Sequence, residues 1–566
     1  MNPKNFTNPK ALTNPIGAKP RVLVVGLDGA TFGIIKPMVK AGKLPNFARL
    51  MREGAHAPLK STMPPITPCA WTSFGTGKDP SKHGLYDFNL HEGNPEKKKS
   101  ANRSFVKAKS IWRLLTEAGK KSVVIDVPLT YPPEEISGIL ISRVMAPPKK
   151  NCAHPKSLYY TLRRKGFIKK IEKNLPKQHG AFNANKEEVK KKPRKISKAE
   201  RRKMSKERIE KAFKNMSEEI DKNVKLASEL MKKKEWDFFM AVFMSADHAG
   251  HTFWKDQAKV RKIYEKLDEA VGKLFGLAGK NTTKFIMSDH GFTSVPYSFN
   301  VNEWLSQKGI LSKKLDIPRR ESVNELKILL KNARNAGNAA NTGNLKLEKF
   351  QYQIRTDYSK SRAYLQSGTS YGVRINLEGR DTTGIVKQRD YEDFRDYLIR
   401  EFKKIRHPAT GERIFSEIFK KEDVYSESPF GTDPAPDIFL LSPEMKFMAQ
   451  GQFTQVAKIF GKTSRGYGFH HTHGIFFAEG ENIRNLPLKS PNITDLAPTI
   501  LHTLGVALPN DLDGRVLSEI FTPGSPCAER EIRYQGPSII DGGEKAYSKK
   551  EEEKIKKRLE ALGYIE

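Results

Sequence analysis

The sequence predicts an α/β fold, a mainly parallel central sheet sandwiched by helices, with a smaller α+β insertion. Three observations predict it. Short apolar runs such as Arg21-Val-Leu-Val-Val-Gly-Leu27 and Ser122-Val-Val-Ile125 read as strands buried on both faces. Between them lie stretches whose apolar residues recur at steps of three and four, the period of helices that cover a sheet. Several of the apolar runs end in an aspartate, as strands feeding a ligand cleft do.

Taken in order, residues 1–20 are rich in Asn, Pro and Lys and lack an apolar core, so they read as a disordered basic arm and not a signal peptide. Residues 21–300 form the first part of the main core. There Arg21–Leu27 ends at Asp28-Gly29, Pro45–Glu53 is helical, and the strand Ser122–Ile125 stops at Asp126-Val-Pro128. A Lys-rich helical insertion spans about 150–235. Its block from Lys186 to Lys203 holds ten Lys or Arg against three Glu, the composition of a solvated segment. It offers weak polyanion contact, with no interleaved aromatic residue on which a base could stack. Ile209, Phe213, Met216, Ile220, Val224, Ala227 and Met231 then make a core-facing helical stripe.

Trp236–Met244 is a third buried strand, followed by Asp247, and Lys255–Phe275 is a charged helix. Lys284–Met287 is a fourth strand, ending at Ser288-Asp289-His290-Gly291. Residues 301–445 form the α+β cap, with an Asn/Gly/Ala loop at Ala333–Leu345, a strand at Tyr371–Asn376 and a helix at Tyr391–Lys404. The core resumes over 446–525 with the strand Gly474–Ala478 and a helix capped by Thr494, Asp495 lying in its first turn. The tail, 526–566, carries a charged helix from Tyr547 to Leu562.

Bulk composition narrows the function classes. No apolar stretch reaches the ~18 residues of a membrane span. Cys69, Cys152 and Cys527 are odd in number and far apart, which speaks against a disulfide framework and for a cytoplasmic setting. The net charge of +36 is concentrated in the insertions, where it serves solubility or the attraction of anions.

The chemistry lies at the strand ends. Asp28, Asp247 and Asp289 each follow a strand; His251 stands four residues after Asp247, and His290 directly after Asp289. His470-His471-Thr472-His473 precedes the last strand. If these strands share one sheet, carboxylates and imidazoles meet in one cleft, a donor set suited to Zn²⁺ or Mn²⁺. Two such ions clamp both the attacking and the leaving oxygen of an in-line phosphoryl transfer. Pro64-Pro65-Ile66-Thr67-Pro68 is a rigid entry to a helix. Thr67 at its N-cap serves either as a cap or as a nucleophile beside free backbone N–H groups.

The order of Leu27-Asp28-Gly29, Thr67, Thr76-Gly77-Lys78-Asp79-Pro80-Ser81-Lys82-His83-Gly84, Asp247-His248-Ala249-Gly250-His251, Ser288-Asp289-His290-Gly291 and a late Gly-x-His resembles the type I phosphodiesterase/nucleotide pyrophosphatase family of the alkaline phosphatase superfamily. The likeness covers about residues 21–127, 236–300 and 355 onward, and includes Ile493–Leu501 and Asp513-Gly514-Arg515. The resemblance implies an alkaline phosphatase-like fold and hydrolysis of a phosphate ester or nucleotide-like substrate. It also implies two divalent metal ions, zinc first and manganese as an option. One ion would be held by Asp247, His251 and a late histidine, the other by Asp28, Asp289, His290 and the hydroxyl of Thr67, the implied nucleophile. His470 has the family's spacing before Gly474, with His471 and His473 as rivals. The alternatives are a phosphomonoesterase, a phosphonate hydrolase, or a polyanion- or membrane-surface protein with an inert metal site. Where the family's pyrophosphatases carry a phosphate-binding Asn, this chain has Phe88, between Asp87 and Asn89.

Overall fold

Residues Arg21–Leu27 form strand β1, in which Leu23, Val25 and Leu27 face one apolar layer and Val22 and Val24 the other. That alternation follows from the two-residue period of a strand and requires both faces to be covered. The computed structural model describes residues 19–90, 93–147, 152–168, 198–316, 353–367, 371–425, 428–430, 434–453, 457–540 and 547–562. The other strands used below are β2 (Ala55–Lys60), β3 (Ser122–Ile125), β4 (Gly138–Ile141), β5 (Ala153–His154), β6 (Phe238–Phe243), β7 (Thr282–Met287), β8 (Gly291–Asn300), β9 (Phe460–His471) and β10 (His473–Glu479).

The eight-stranded sheet runs β2-β10-β7-β1-β6-β3-β4-β5. β7, β1, β6, β3 and β4 are mutually parallel, with Leu27 opposite Phe243 and Gly26 opposite Met287. One face is covered by the helices Lys198–Lys233 and Gln257–Ala278, the other by Thr67–Thr76 and Leu496–Thr503. This is the mainly parallel α/β sandwich that the apolar runs predict.

Met216, Ile220, Val224, Ala227 and Met231 of the predicted stripe are buried against the sheet, and Phe213 packs on the same layer. Ile209 is 38% exposed. The helix Lys198–Lys233 includes the end of the Lys-rich block. The rest of that block, the loop at 333–345 and nearly all of the arm at 1–20 lie outside the described residues.

The last core strand, β10, is antiparallel to β7, so its first residue lies at the carboxyl edge of the parallel strands. Two local expectations are corrected. The helix near 494 is preceded by a turn, Ile493–Asp495, capped by Asn492 and not by Thr494. The Asn492 side chain and the Asp495 carboxylate form a reciprocal capping box there. Helix Thr67–Thr76 starts one residue earlier than its proline suggests, with Ile66 at the N-cap and Thr67 as the first helical residue. Thr67 therefore does not cap the helix.

Two strands have no clear signature in the sequence. β8 leaves directly from His290 and pairs antiparallel with β9, which returns into His471; Gly291 faces His471 and Phe292 faces His470. The ladder is broken between Val295 and Tyr297, where Pro296 has no N–H to donate. Beyond this ribbon, Ala363–Leu365, Gly372–Ile375, Ile438–Leu441 and Glu417–Lys420 make a four-stranded antiparallel sheet. Phe394, Leu398 and Phe402 of the helix Tyr391–Lys404 pack in one apolar cluster with residues of these strands. Val295 and Phe299 of β8 and Phe469 of β9 belong to the same cluster.

Candidate active site

The carboxyl ends of β1, β6 and β7 deliver Asp28, Asp247 and Asp289 to one place. Asp28 and Asp289 immediately follow β1 and the turn after β7, and Asp247 stands in the first turn of the helix Ser245–Phe253. The backbone brings them close, since the Asp247 N–H donates to the Asp28 carbonyl at 2.9 Å. Gly29 makes that approach possible. Its φ is +69°, and a Cβ there would stand 2.9 Å from the Asp247 Cα. Gly29 also donates its N–H to Asp289 Oδ1 at 3.2 Å.

Helical spacing then sets His251 over Asp247, Nε2 to Oδ1 at 3.3 Å. His470, at the end of β9, completes a triangle: its Nε2 is 3.4 Å from the same oxygen and 3.0 Å from His251 Nε2. Donor atoms about 2.0–2.1 Å from a tetrahedral Zn²⁺ lie about 3.3 Å apart, so the triangle has the dimensions of a zinc ligand set. His290 Nε2 lies 3.2 Å from Asp289 Oδ2 and 3.8 Å from Asp28 Oδ1. Asp247, His251 and His470 form one group able to hold an ion; Asp28, Asp247 and His290 form a second, so Asp247 is common to both. The rings of His290 and His470 stack at 3.7 Å, which places the two groups side by side. His471 and His473 lie outside this cluster; the His473 N–H donates to His471 Nδ1 at 3.1 Å.

Thr67 is brought to the same place by two bonds from its own segment. His470 Nδ1 and the Pro65 carbonyl are 3.1 Å apart, and Trp71, one helical turn after Thr67, donates its indole N–H to Asp28 Oδ2 at 2.7 Å. The Thr67 residue is 1% exposed, and its hydroxyl has no hydrogen-bond partner among the described residues. Asp28 Oδ1, Asp289 Oδ2 and His290 Nε2 are likewise buried without one. Buried polar atoms are almost always partnered, so this concentration of orphans around one point fits the binding of a cation there.

The electrostatics agree. Burial, and then Asp289 and Asp247, push the Asp28 carboxyl well above the ordinary range. Burial and Asp247 do the same to Asp289. Burial pushes Asp247 up too, but His251 and His470 overcome it and hold this carboxyl well below its usual value. Burial, reinforced by His470, holds the His290 imidazole neutral, as a metal ligand must be. A divalent cation would remove the mutual repulsion of the three carboxylates.

Sequence reasoning did not find Trp71 as the partner of Asp28, nor the pair beneath the Thr67 helix. His83 Nδ1 accepts the Leu85 N–H at 3.2 Å, so Nε2 carries the proton and donates to Ser73 Oγ at 2.9 Å. Burial lowers the His83 pKa from 6.5 to about 3. The unfolded chain therefore takes up the proton first, and stability is lost as the pH falls from about 6.5 towards 3. At pH 5 the loss is about 2 kcal/mol. His83→Asn is expected to flatten the acid limb of a denaturant-midpoint-against-pH curve by that amount; an unchanged limb would refute the assignment.

A mainly parallel sheet that presents three aspartates and three histidines beside a buried hydroxyl suits a phosphoesterase, and the family match shows that class. The chain belongs to the type I phosphodiesterase/nucleotide pyrophosphatase family, whose profile matches residues 22–475. Phosphonoacetate hydrolase from Sinorhizobium meliloti 1021, solved with phosphonoformate, is similar in structure at 13% identity; 86% of this chain and 96% of that one align, with a TM-score of 0.51. The alkaline phosphatase PafA aligns over 90% and 100% of the two chains at 14% identity and a TM-score of 0.50. Murine ectonucleotide pyrophosphatase/phosphodiesterase 5, solved with AMP, aligns over 89% and 100% at 14% identity and a TM-score of 0.49. No curated protein matches the sequence. Among the described residues, no helix is long and apolar enough to cross a membrane.

Proposed function

We propose that this phosphoesterase is a two-metal phosphodiesterase of the nucleotide pyrophosphatase type, acting through a covalent phosphothreonine on Thr67. One observation carries the reading: two ligand groups that share Asp247 and leave buried oxygens unpartnered adjoin the helical turn that holds an unpartnered threonine hydroxyl. Asp247, His251 and His470 would hold one ion, and Asp28, Asp289 and His290 the other, with Asp247 within reach of both. Zinc is the expected metal, and manganese suits the same donors. When bound, the ions supply Lewis acidity that favours the deprotonated Thr67 oxygen and the developing negative charge of the phosphoryl group.

The chain's own residues do the rest. Thr67 Oγ1 forms a bond to phosphorus as the opposite P–O bond breaks, and its proton passes to solvent while the departing alkoxide takes one up. Water then attacks the phosphothreonine, the Thr67 O–P bond breaks, and the hydroxyl regains its proton. No side chain caps the helix Thr67–Thr76, so its first-turn N–H groups remain for a phosphoryl oxygen. Trp71 restrains Asp28, and the Pro65 carbonyl fixes the tautomer of His470 so that Nε2 is the donor atom for the metal. The three cysteines are buried and unbridged, which supports a reducing, cytoplasmic setting.

A second reading has its own support. Phe88, at the place of the family's phosphate-binding Asn, is fully buried in an apolar cluster with Ile66 and Cys69. A phenyl side chain has no donor to offer a nucleotide's phosphate oxygen, which supports a phosphomonoester or a phosphonate instead. Rates on bis-(p-nitrophenyl) phosphate, p-nitrophenyl phosphate, phosphonoacetate and dinucleotides, measured with Zn²⁺ and with Mn²⁺, decide between the two. The phosphodiesters are expected to be the faster substrates; faster turnover of the monoester or the phosphonate would establish the second reading.

A further inference from the structure

We propose that Phe292 is a positioning residue for one ion site: its ring, seated between two glycines, fixes the His251 imidazole so that Nε2 meets Asp247 and His470. The inference rests on the two-ion reading above and adds a residue to it. Phe292 is buried and follows the ligand pair Asp289-His290 by two positions. It meets His251 edge to face, centroids 5.0 Å apart at 81°, and His470 at 5.9 Å and 61°. One ring thus touches both imidazoles of the Asp247 group. The antiparallel ladder dictates the second contact, because Phe292 and His470 are register partners across β8 and β9.

The seat of the ring is built for it. A Cβ on Gly250 would come within 2.6 Å of Phe292, and one on Gly468 within 2.3 Å. Gly250 immediately precedes His251, and Gly468 lies two residues before His470. Both ligand-bearing segments have therefore given up a side chain to the same phenyl ring. Trp254 closes the outer side at 5.2 Å from Phe292, and Phe469 stands 5.9 Å from His251. An imidazole held by packing keeps its lone pair aimed at the metal; a free one must be ordered by the ion itself, at a cost in affinity.

The test is zinc binding to full-length, metal-stripped protein, followed by isothermal titration and by competition with a chromophoric chelator. The wild type is expected to bind two ions. Phe292→Leu is expected to weaken one of them about 10- to 100-fold, the scale of losing a ligand's support, and to leave the other unchanged. Gly468→Ala, which pushes the ring out of its seat, should reproduce the loss. His251→Ala identifies which ion is affected. Two wild-type affinities in folded Phe292→Leu or in folded Gly468→Ala would overturn the proposal, as would equal weakening of both ions. If Phe292→Leu does not fold, Phe292→Met and Gly468→Ala carry the same readout. A wild type that binds fewer than two ions would instead overturn the two-ion reading itself.

Discussion

Thr67→Ala is expected to lower phosphodiester turnover by a factor on the order of 10⁴ or more while leaving the bound metal and the fold in place. The size follows from the role, because removing a nucleophile ends the covalent route and leaves only what binding and charge stabilisation provide. The selectivity follows from the geometry. Thr67 Oγ1 has no hydrogen-bond partner among the described residues, so its loss strands no other group. The triangle of Asp247, His251 and His470, 3.0–3.4 Å on each side, does not depend on it. Turnover of bis-(p-nitrophenyl) phosphate and elemental analysis of the same sample check both halves. Wild-type turnover would remove Thr67 from the mechanism. Loss of metal alongside activity would leave its role as a ligand sufficient to explain the result, and the nucleophile assignment without support.

Asp247→Asn carries the second large effect. This carboxylate belongs to both ligand groups, whereas His251 belongs to one. The substitution keeps size and removes charge, so both ions lose a charged ligand, and metal content is expected to fall below one per chain. Turnover should drop on the order of 10³-fold or more at limiting zinc. Stability gives an independent readout. Against the effect of burial, His251 and His470 hold the Asp247 carboxyl well below its usual range, so its neutralisation costs the metal-free protein that attraction. The metal-free variant is therefore expected to be less stable than metal-free wild type, and to lose the gain on adding zinc. That gain is about 4 kcal/mol when free zinc is 1,000-fold above Kd. A variant that still gains that stability would show that Asp247 is not shared.

How much of this was legible in the sequence can be judged residue by residue. β1, β3 and β6 are near-continuous apolar runs and β7 ends in one, Phe285–Met287; such runs announce themselves because both faces of a parallel strand are buried. The aspartates are readable because they end those runs. β8 and β9 are half-buried ribbon strands rich in Gly, Ser and Thr and broken at Pro296, so neither period nor propensity marks them. Yet they are what carries His470 to His251. The direction of β10 is set by its pairing with β7 and β2, a non-local fact. Trp71 and the Ser73–His83 pair escaped for the same reason. Only the fold brings an indole at position 71 to the carboxylate at 28, and nothing in helical spacing anticipates it.

The β8–β9 ribbon has one further consequence. The chain leaves the site through β8 and returns to it through β9, so the two ends of the excursion between Asn300 and Phe460 are held together by one paired ribbon. Lengthening, trimming or exchanging the outer part of that excursion alters what surrounds an incoming substrate without re-registering His290 against His470. Selection can thus retune the choice of ester while the hydrolytic centre stays as it is.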